Sequence, residues 1–281
     1  MNENGKNTYL TKEDYEEPRC VLCMDAPGGE KVTRIDVGRM MSKLDEHLAY
    51  EDYESAERHL SYWRGEAQVG NDEEGQLIIY NEMMGLYRKM NKPDKTLESA
   101  EKAVALAEKL KLEGTEIYGT TYLNAATAMK FVGKPEVSIG YFERALAAYE
   151  KRVEKSDPKF AGLYNNMALT LVDLKRFDEA EDYYGKALEI MKSVKNGSLD
   201  MASTYLNSAS LYEAKDGLED GAEKINECLE KAEACLNDES LEKNSYYYFV
   251  CDKCASGFRY YGWFMLADEL DRRVREYHER A

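Results

Sequence analysis

The chain has 281 residues, with 54 acidic and 38 basic side chains and a formal net charge of −16 at pH 7. A surface this acidic repels the phosphates of nucleic acid and of anionic lipid headgroups, which disfavours both as direct partners. A neutral to basic protein or peptide is the expected partner. The length suits either two ordinary domains or one elongated array of repeats.

Residues 1–34 are predicted to form an irregular leader, because Pro18, Pro27 and the Gly28-Gly29 pair break helices and favour turns. The leader lacks the basic-then-apolar layout of a secretory signal. No apolar run in the sequence approaches the ~20 residues that a membrane span requires. We therefore expect a cytoplasmic protein.

Helical periodicity begins near Ile35 and continues for the rest of the chain. Residues 35–70 are interpreted as a degenerate first repeat, in which Met40, Leu44 and Leu48 recur at a spacing of four along one helix face. A second helix is predicted from Tyr53. An atypical first repeat is expected, since one side of a terminal repeat faces solvent.

Residues 72–238 contain the clear repeats. Aromatic residues open successive first helices at steps of 42, 42 and 41 residues, and small residues recur at steps of 42 in the second helices; these are Tyr80, Tyr122, Tyr164 and Tyr205, and Ala103, Ala145 and Ala187. Residues 240–281 are predicted to form a capping helix pair, whose second helix begins at Trp263.

This pattern resembles the tetratricopeptide repeat. Tyr164 opens one first helix, and Ala168, Ala180 and Ala187 stand where a small side chain lets neighbouring helices approach closely. The period exceeds the usual ~34 residues and, with the phrase at 165–169, is similar to kinesin light chain repeats and their bacterial relatives. The resemblance implies an all-α, right-handed superhelical solenoid of about six helix pairs over residues 35–281.

The resemblance also implies that the first helix of each pair lines a concave groove. Asn124, Asn166 and Asn207 recur at 42 and 41 residues and are predicted to form a ladder along it, with Asn81 and Asn165 one place earlier in their repeats. Amides donate and accept hydrogen bonds at once, so they can either hold an extended peptide or bond to adjacent helices and stiffen the stack. Further predicted groove residues are Glu82, Lys130, Leu169 and Ser210.

The cysteines include two Cys-x-x-Cys pairs, Cys20/Cys23 and Cys251/Cys254. Four thiolates could form a zinc site, in which Cys251 is expected to face the groove. The other reading is that the thiols pack as small apolar groups in a reducing cytosol, with Cys254 in the place that Ala168 takes in its own repeat. Apart from this possible zinc, no cofactor is expected.

An enzyme is not expected, because the sequence contains no glycine-rich phosphate loop, nucleophile elbow or zinc-protease motif. His47, His59 and His278 fit no ligand spacing and are interpreted as ordinary, partly exposed residues. We expect a noncatalytic scaffold that binds an extended peptide in the groove. Two alternatives stay open: a peptide-sensing regulator of bacterial quorum-sensing type, although no effector segment is apparent, and a solenoid autoinhibited by its leader.

Overall fold

The computed structural model of the chain describes residues 32–280. Throughout these residues the secondary structure is helical, with twelve α-helices in six consecutive pairs and no strand. The two helices of each pair pack on each other. The predicted all-α fold of about six helix pairs is confirmed.

The helices fall into two compact units, of which unit 1 ends at Arg152 and unit 2 begins at Val153. Unit 1 contains α1 (Val37–Ala49), α2 (Tyr53–Val69), α3 (Glu73–Lys89), α4 (Pro93–Lys109), α5 (Glu116–Phe131) and α6 (Pro135–Tyr149). Unit 2 contains α7 (Pro158–Asp173), α8 (Phe177–Met191), α9 (Gly197–Asp220), α10 (Ala222–Leu236), α11 (Ser245–Tyr260) and α12 (Phe264–Arg280). None of these helices is long and apolar enough to cross a bilayer.

One turn geometry joins most neighbouring helices. After α1, Glu51 takes the left-handed conformation (φ 53°), and its N–H donates to the carbonyl of Leu48. The next N–H, of Asp52, donates to the carbonyl of His47, which completes a Schellman motif. Asp52 is also the N-cap of α2 and accepts from the N–H of Ser55. The left-handed residues of this motif are Glu51, Asn71, Asn91, Lys111, Gly133, Lys175 and Gly262.

Small residues allow the helices of a pair to approach closely. In unit 1, Ala103, Ala126 and Ala145 are fully buried, and in unit 2 Ala168 and Ala180 are equally enclosed. This burial agrees with the role that the repeat resemblance implies for small residues at these places. Large apolar side chains then fill the remaining space between the helices.

Asp72 ties the residues that precede α1 to the start of α3. Its side chain is 2% exposed and accepts hydrogen bonds from Arg34 Nη1 (2.6 Å), from the N–H of Ile35 (3.0 Å) and from the N–H of Gly75 (3.0 Å). The N–H of Thr33 donates to the carbonyl of Gly70. Residues 33–35 are thereby held against the turn between α2 and α3.

Two local features of unit 2 differ from the sequence interpretation. Helix α12 begins at Phe264 rather than at Trp263, because the N–H of Trp263 closes the preceding turn on the carbonyl of Phe258. Helix α9 contains a kink at Gly217, where φ is 83° and ψ is 171°. Most of the predicted leader lies outside the described residues.

Candidate functional site

In unit 2 the first helices of the three pairs, α7, α9 and α11, lie side by side. We call the surface that they share the first-helix face of unit 2. Leu169 is half-buried on α7, and Leu206 is half-buried on α9. Around these two leucines the surface carries small or polar groups, which leave room for an extended chain; they are Gly162, Ser203, Ser210, Ser256 and Gly257.

An amide pair bridges α7 and α9 on this face. Asn207 Nδ2 donates to Asn165 Oδ1 at 3.1 Å, and both side chains are half-buried. Within the described part of the chain, Asn165 Nδ2 and Asn207 Oδ1 make no further hydrogen bond. Asn165 Nδ2 can therefore donate to a ligand and Asn207 Oδ1 can accept from it, the two functions that a peptide group needs.

The hydrogen bonds between helices do not follow the predicted row of Asn124, Asn166 and Asn207, and the role of that row in binding stays a prediction. Asn166 Nδ2 donates to the carbonyl of Gly162 in its own helix at 2.9 Å and forms no bridge to Asn207. It is Asn165, one residue earlier, that reaches across to α9. The bonding to an adjacent helix that was the alternative interpretation is present at this pair.

A second amide pair lies in unit 1, where it bridges α3 and α5. Asn124 Nδ2 donates to Asn81 Oδ1 at 3.1 Å. Asn81 Nδ2 donates in turn to Thr121 Oγ1 and to the carbonyl of Leu77, both at 3.0 Å. Both N–H groups of Asn81 Nδ2 are therefore used within the protein, whereas Nδ2 of Asn165, the equivalent residue in unit 2, donates to none of the described residues.

The repeat pattern explains why there are two separate pairs. Each bond joins one position in a first helix to the following position in the next first helix. The earlier position holds Asn81, Leu123, Asn165 and Leu206, and the later one holds Glu82, Asn124, Asn166 and Asn207. Because leucine alternates with asparagine at the earlier position, only Asn81–Asn124 and Asn165–Asn207 can form. Both sets of residues are readable in the sequence once this one-residue offset is known.

Tyrosines and a carboxylate close one end of the first-helix face of unit 2. Glu213 on α9 accepts hydrogen bonds from Tyr260 OH (2.5 Å) and Tyr261 OH (2.7 Å), and Tyr261 OH also contacts Ser210 Oγ at 3.3 Å. Burial and the Glu213 carboxylate raise the pKa of Tyr261, so its hydroxyl remains a donor at neutral pH. Ser210 is exposed. Neither tyrosine was predicted from the sequence to lie on this face.

Aromatic side chains lie near the start of α11 on the same face. Tyr246 and Phe249 stack with ring centroids 6.3 Å apart, and Lys253 Nζ lies 4.5 Å from the Phe249 centroid. Tyr246 OH donates to Asp200 on α9 at 2.6 Å. Phe249 remains 52% exposed, so its ring is available for contact with a ligand.

The face of unit 1 carries more charge. Burial raises the pKa of Glu82, and nearby Asp45 raises it further. Burial lowers the pKa of Arg88, two turns farther along α3. Lys130 on α5 is half-buried. Among the described residues neither Glu82 nor Arg88 forms an ion pair.

Cys251 and Cys254 lie in the core of unit 2, with 0% and 1% of their surface exposed. The expectation that Cys251 faces the groove is therefore wrong. The alignment of α11 with α7 differs by one residue from the one that the sequence suggested. Cys254, Ala255 and Phe258 are buried in the same pattern as Met167, Ala168 and Leu171. Ala255, rather than Cys254, therefore takes the place of Ala168.

Burial raises the pKa of the Cys254 thiol to about 12 and also raises that of Cys251, so both are protonated at neutral pH. Metal-binding groups of three or more side chains are absent from the described residues. Cys20 and Cys23 lie outside those residues, and the zinc site stays a prediction.

The interpretation of His59 as a partly exposed residue is also wrong. Its side chain is 1% exposed, and Nε2 lies 2.9 Å from the carbonyl oxygen of Met40. The His59 ring contacts His47 and Trp63 edge-on, with centroids 5.8 and 6.3 Å away. These contacts place it in the core of the first helix pair.

A family comparison decides the type of repeat. The sequence model described as tetratricopeptide repeat matches residues 159–246, which include the amide pair of unit 2. Residues 159–246 are tetratricopeptide repeats. The match lies within helices α7 to α11, where the aromatic and alanine positions of the sequence pattern are most regular.

Solved tetratricopeptide-type structures extend the likeness over most of the chain. The crystal structure of BtubC (BKLC) from P. vanneervenii has a TM-score of 0.61 and 21% sequence identity, over 74% of this chain and 84% of that one. A putative kinesin light chain from P. anserina with nearly identical TPR-like repeats has a TM-score of 0.50 and 15% identity, over 73% and 95%. At these identities the likeness shows the fold. No curated protein sequence matches the chain.

Proposed function

We propose that this tetratricopeptide-repeat protein is a noncatalytic scaffold that binds an extended peptide segment on the first-helix face of unit 2. Tetratricopeptide repeats are protein-interaction folds, which supports the general class. The proposal of peptide binding at this face rests on the Asn165–Asn207 pair. Asn165 Nδ2 and Asn207 Oδ1 make no further hydrogen bond with the described residues, so together they would pair with one peptide group. Peptide binding through paired backbone hydrogen bonds gives affinity with little dependence on sequence.

The surroundings of the pair favour a neutral to basic peptide. Asp173 is exposed at the end of α7, Glu213 lies at the end of the face, and Asp200 lies near its start. The cation Lys253 is engaged with the Phe249 ring. Leu169, Leu206 and Phe249 would contact apolar side chains of the ligand, while the small residues between them would accommodate its backbone.

The proposal is tested with labelled 12-residue peptide pools of neutral, basic and acidic composition, measured by fluorescence anisotropy. We expect the neutral and basic pools to bind, and the double variant Asn165→Ala/Asn207→Ala to bind about tenfold or more weakly, because two hydrogen bonds are lost. Asn226→Ala is a matched control, since Asn226 is an exposed amide on α10, outside this face.

Thermal unfolding of both variants accompanies the binding measurement, because the amide pair also joins α7 to α9. Equal binding by the double variant and the wild type, with both proteins folded, would remove the pair from the proposed function. Binding confined to the acidic pool would contradict the expected charge of the partner.

A second candidate is regulation by the N-terminal leader, which the anchor at Asp72 favours. Residues 33–35 are held at the start of α3, the helix that carries Asn81 and Glu82. Deleting residues 1–31 while keeping Arg34 is expected to raise peptide affinity severalfold if the leader competes with ligands. Unchanged affinity for every pool would argue against this candidate.

A further inference from the structure

A groove lies between α10 and the start of α12 in unit 2, outside the first-helix face. It has a volume of about 550 Å³. Trp263 and Leu266 are half-buried in it and pack against the core of unit 2. Phe264 and Met265 line the same groove.

Phe264 and Met265 are unusually accessible for apolar side chains. Phe264 is 60% exposed and Met265 is 90% exposed, the largest exposed fraction of any large apolar residue that the structure describes. Together with Trp263 and Leu266 they form four consecutive apolar residues. The rest of the exposed surface of α12 is charged, as at Asp268, Arg272 and Arg275. A contiguous apolar patch with a polar rim is typical of a surface that another molecule covers.

One carboxylate at the rim of the groove has no neutralising partner among the described residues. Glu233 on α10 is half-buried, and its side chain forms no hydrogen bond or ion pair with any described residue. Glu269, the other carboxylate of the rim, is bonded to Arg272 and Arg273. Arg273 is committed as well, since its other nitrogens donate to Tyr247 OH and Asn237 Oδ1.

We propose that the groove between α10 and α12 docks a short amphipathic helix of a partner protein that carries apolar side chains beside an arginine or lysine. The apolar residues would cover Phe264 and Met265, and the cation would pair with Glu233. A helix with apolar anchors at regular spacing is a common ligand for a groove of this kind. A second copy of this chain fits less well, because its net charge of −16 opposes self-association.

The test uses the full chain and a labelled amphipathic helical peptide of about 14 residues, with leucines on one face and arginines beside them. A second peptide has glutamate in place of each arginine. Anisotropy of the label gives the affinity. Trp263 fluorescence reports occupancy of the groove, because the other tryptophan, Trp63, is fully buried in unit 1.

We expect the arginine peptide to bind and to shift the Trp263 emission, and the glutamate peptide to bind at least tenfold more weakly. Phe264→Ser/Met265→Ser should weaken binding about tenfold or more. Glu233→Gln should weaken it about threefold and reduce its dependence on salt. Val69→Ser, at an 86% exposed apolar residue of unit 1, is the matched control for the first variant. Glu230→Gln, at an exposed carboxylate of α10, is the control for the second.

Absence of arginine-peptide binding at millimolar concentration would overturn the proposal. So would equal binding by the Phe264→Ser/Met265→Ser variant, or equal affinity for the two peptides. Sedimentation measurements test whether a second copy of this chain occupies the groove instead. Self-association that the double variant abolishes, without peptide binding by the wild type, would assign the groove to a second copy of the chain and overturn the proposal.

Discussion

Tyrosine hydroxyl groups bonded to carboxylates connect neighbouring helices in both units. The most connected case is Glu108 on α4, which accepts from Tyr118 OH (3.0 Å), Tyr122 OH (2.6 Å) and Arg144 Nη1 (2.9 Å). In unit 2, Tyr212 OH donates to Glu181 in the same way. Burial raises the pKa of Tyr122, and the Glu108 carboxylate raises it further. The hydroxyl therefore stays protonated and acts as the donor.

Tyr122→Phe is expected to destabilise the protein by about 1–2 kcal/mol, because Glu108 loses its shortest hydrogen bond while the ring remains in place. Urea unfolding measures the effect. Tyr141→Phe is the matched control, since the Tyr141 ring packs edge-on against Tyr122 but its hydroxyl makes no hydrogen bond with the described residues. Equal losses in the two variants would show that the hydroxyl–carboxylate bond contributes nothing.

Replacing Asp72 is expected to lower the free energy of unfolding more than replacing Tyr122, because three donors bond to its one buried side chain. Asp72→Ala should cost about 2–4 kcal/mol, since it removes the N-cap of α3 and leaves the buried N–H of Ile35 without its acceptor. Asp52→Ala, which removes only a cap at Ser55, should cost about 1 kcal/mol. Chemical denaturation of both variants tests the ranking, and a larger loss for Asp52→Ala would contradict it.

At the scale of the helices, the close approach of α5 and α6 depends on Gly119. A Cβ at this position would lie 2.5 Å from Cε1 of the buried Tyr149 ring. A Cβ at Gly140, in α6, would meet no atom of another described side chain within 4 Å. The two glycines thus have opposite roles, although both lie inside helices of the same pair.

Gly119→Ala is expected to destabilise unit 1 by about 1–3 kcal/mol, because the buried Tyr149 ring must move. Gly140→Ala should stabilise it by about 0.5–1 kcal/mol, because alanine loses less backbone entropy on forming a helix. Thermal unfolding of the pair separates the steric effect from helix propensity. A stabilised Gly119→Ala variant would show that the ring yields without cost.

The sequence predicted the helix pairs well, because apolar spacing and a step of about 42 residues both depend on residues local to each helix. It failed where a shift of one residue changes the outcome. Asn165 and Asn166 are both amides, and only packing decides which one reaches Asn207. In α11 the small residues Cys254 and Ala255 are adjacent, so composition alone did not fix which takes the central packing position.

At the scale of the whole molecule, buried thiol and tyrosine hydroxyl groups make the free energy of unfolding decrease at high pH. Burial raises the pKa of Cys228 to about 11 and that of Cys254 to about 12, against 9.0 for an unperturbed thiol. Burial also raises the pKa of Tyr184 in α8. The folded state therefore retains protons that the unfolded state loses. Stability from these groups is complete below pH 9 and falls as the pH rises from there towards 11–12.

We expect the urea midpoint to decrease as the pH rises from about 9 to about 10.5, with a loss of about 1 kcal/mol for each of the two thiols by pH 10. The double variant Cys228→Ala/Cys254→Ala should fall less steeply, because it lacks both groups, whereas the tyrosines titrate in both proteins. A midpoint that is flat to pH 10, or parallel curves for the two proteins, would contradict this account.

The repeated Schellman turns imply that the protein could be made more stable by substitution at its left-handed turn positions. Among the described residues, five of the seven left-handed residues in these turns are not glycine, and Glu51, Lys111 and Lys175 are among the five. A residue with a Cβ pays about 1 kcal/mol to adopt this conformation. All three side chains are exposed, so glycine could replace them without loss of packing. Glycine at these turns is therefore a way for an engineer to raise the melting temperature without changing a residue of the first-helix face of unit 2.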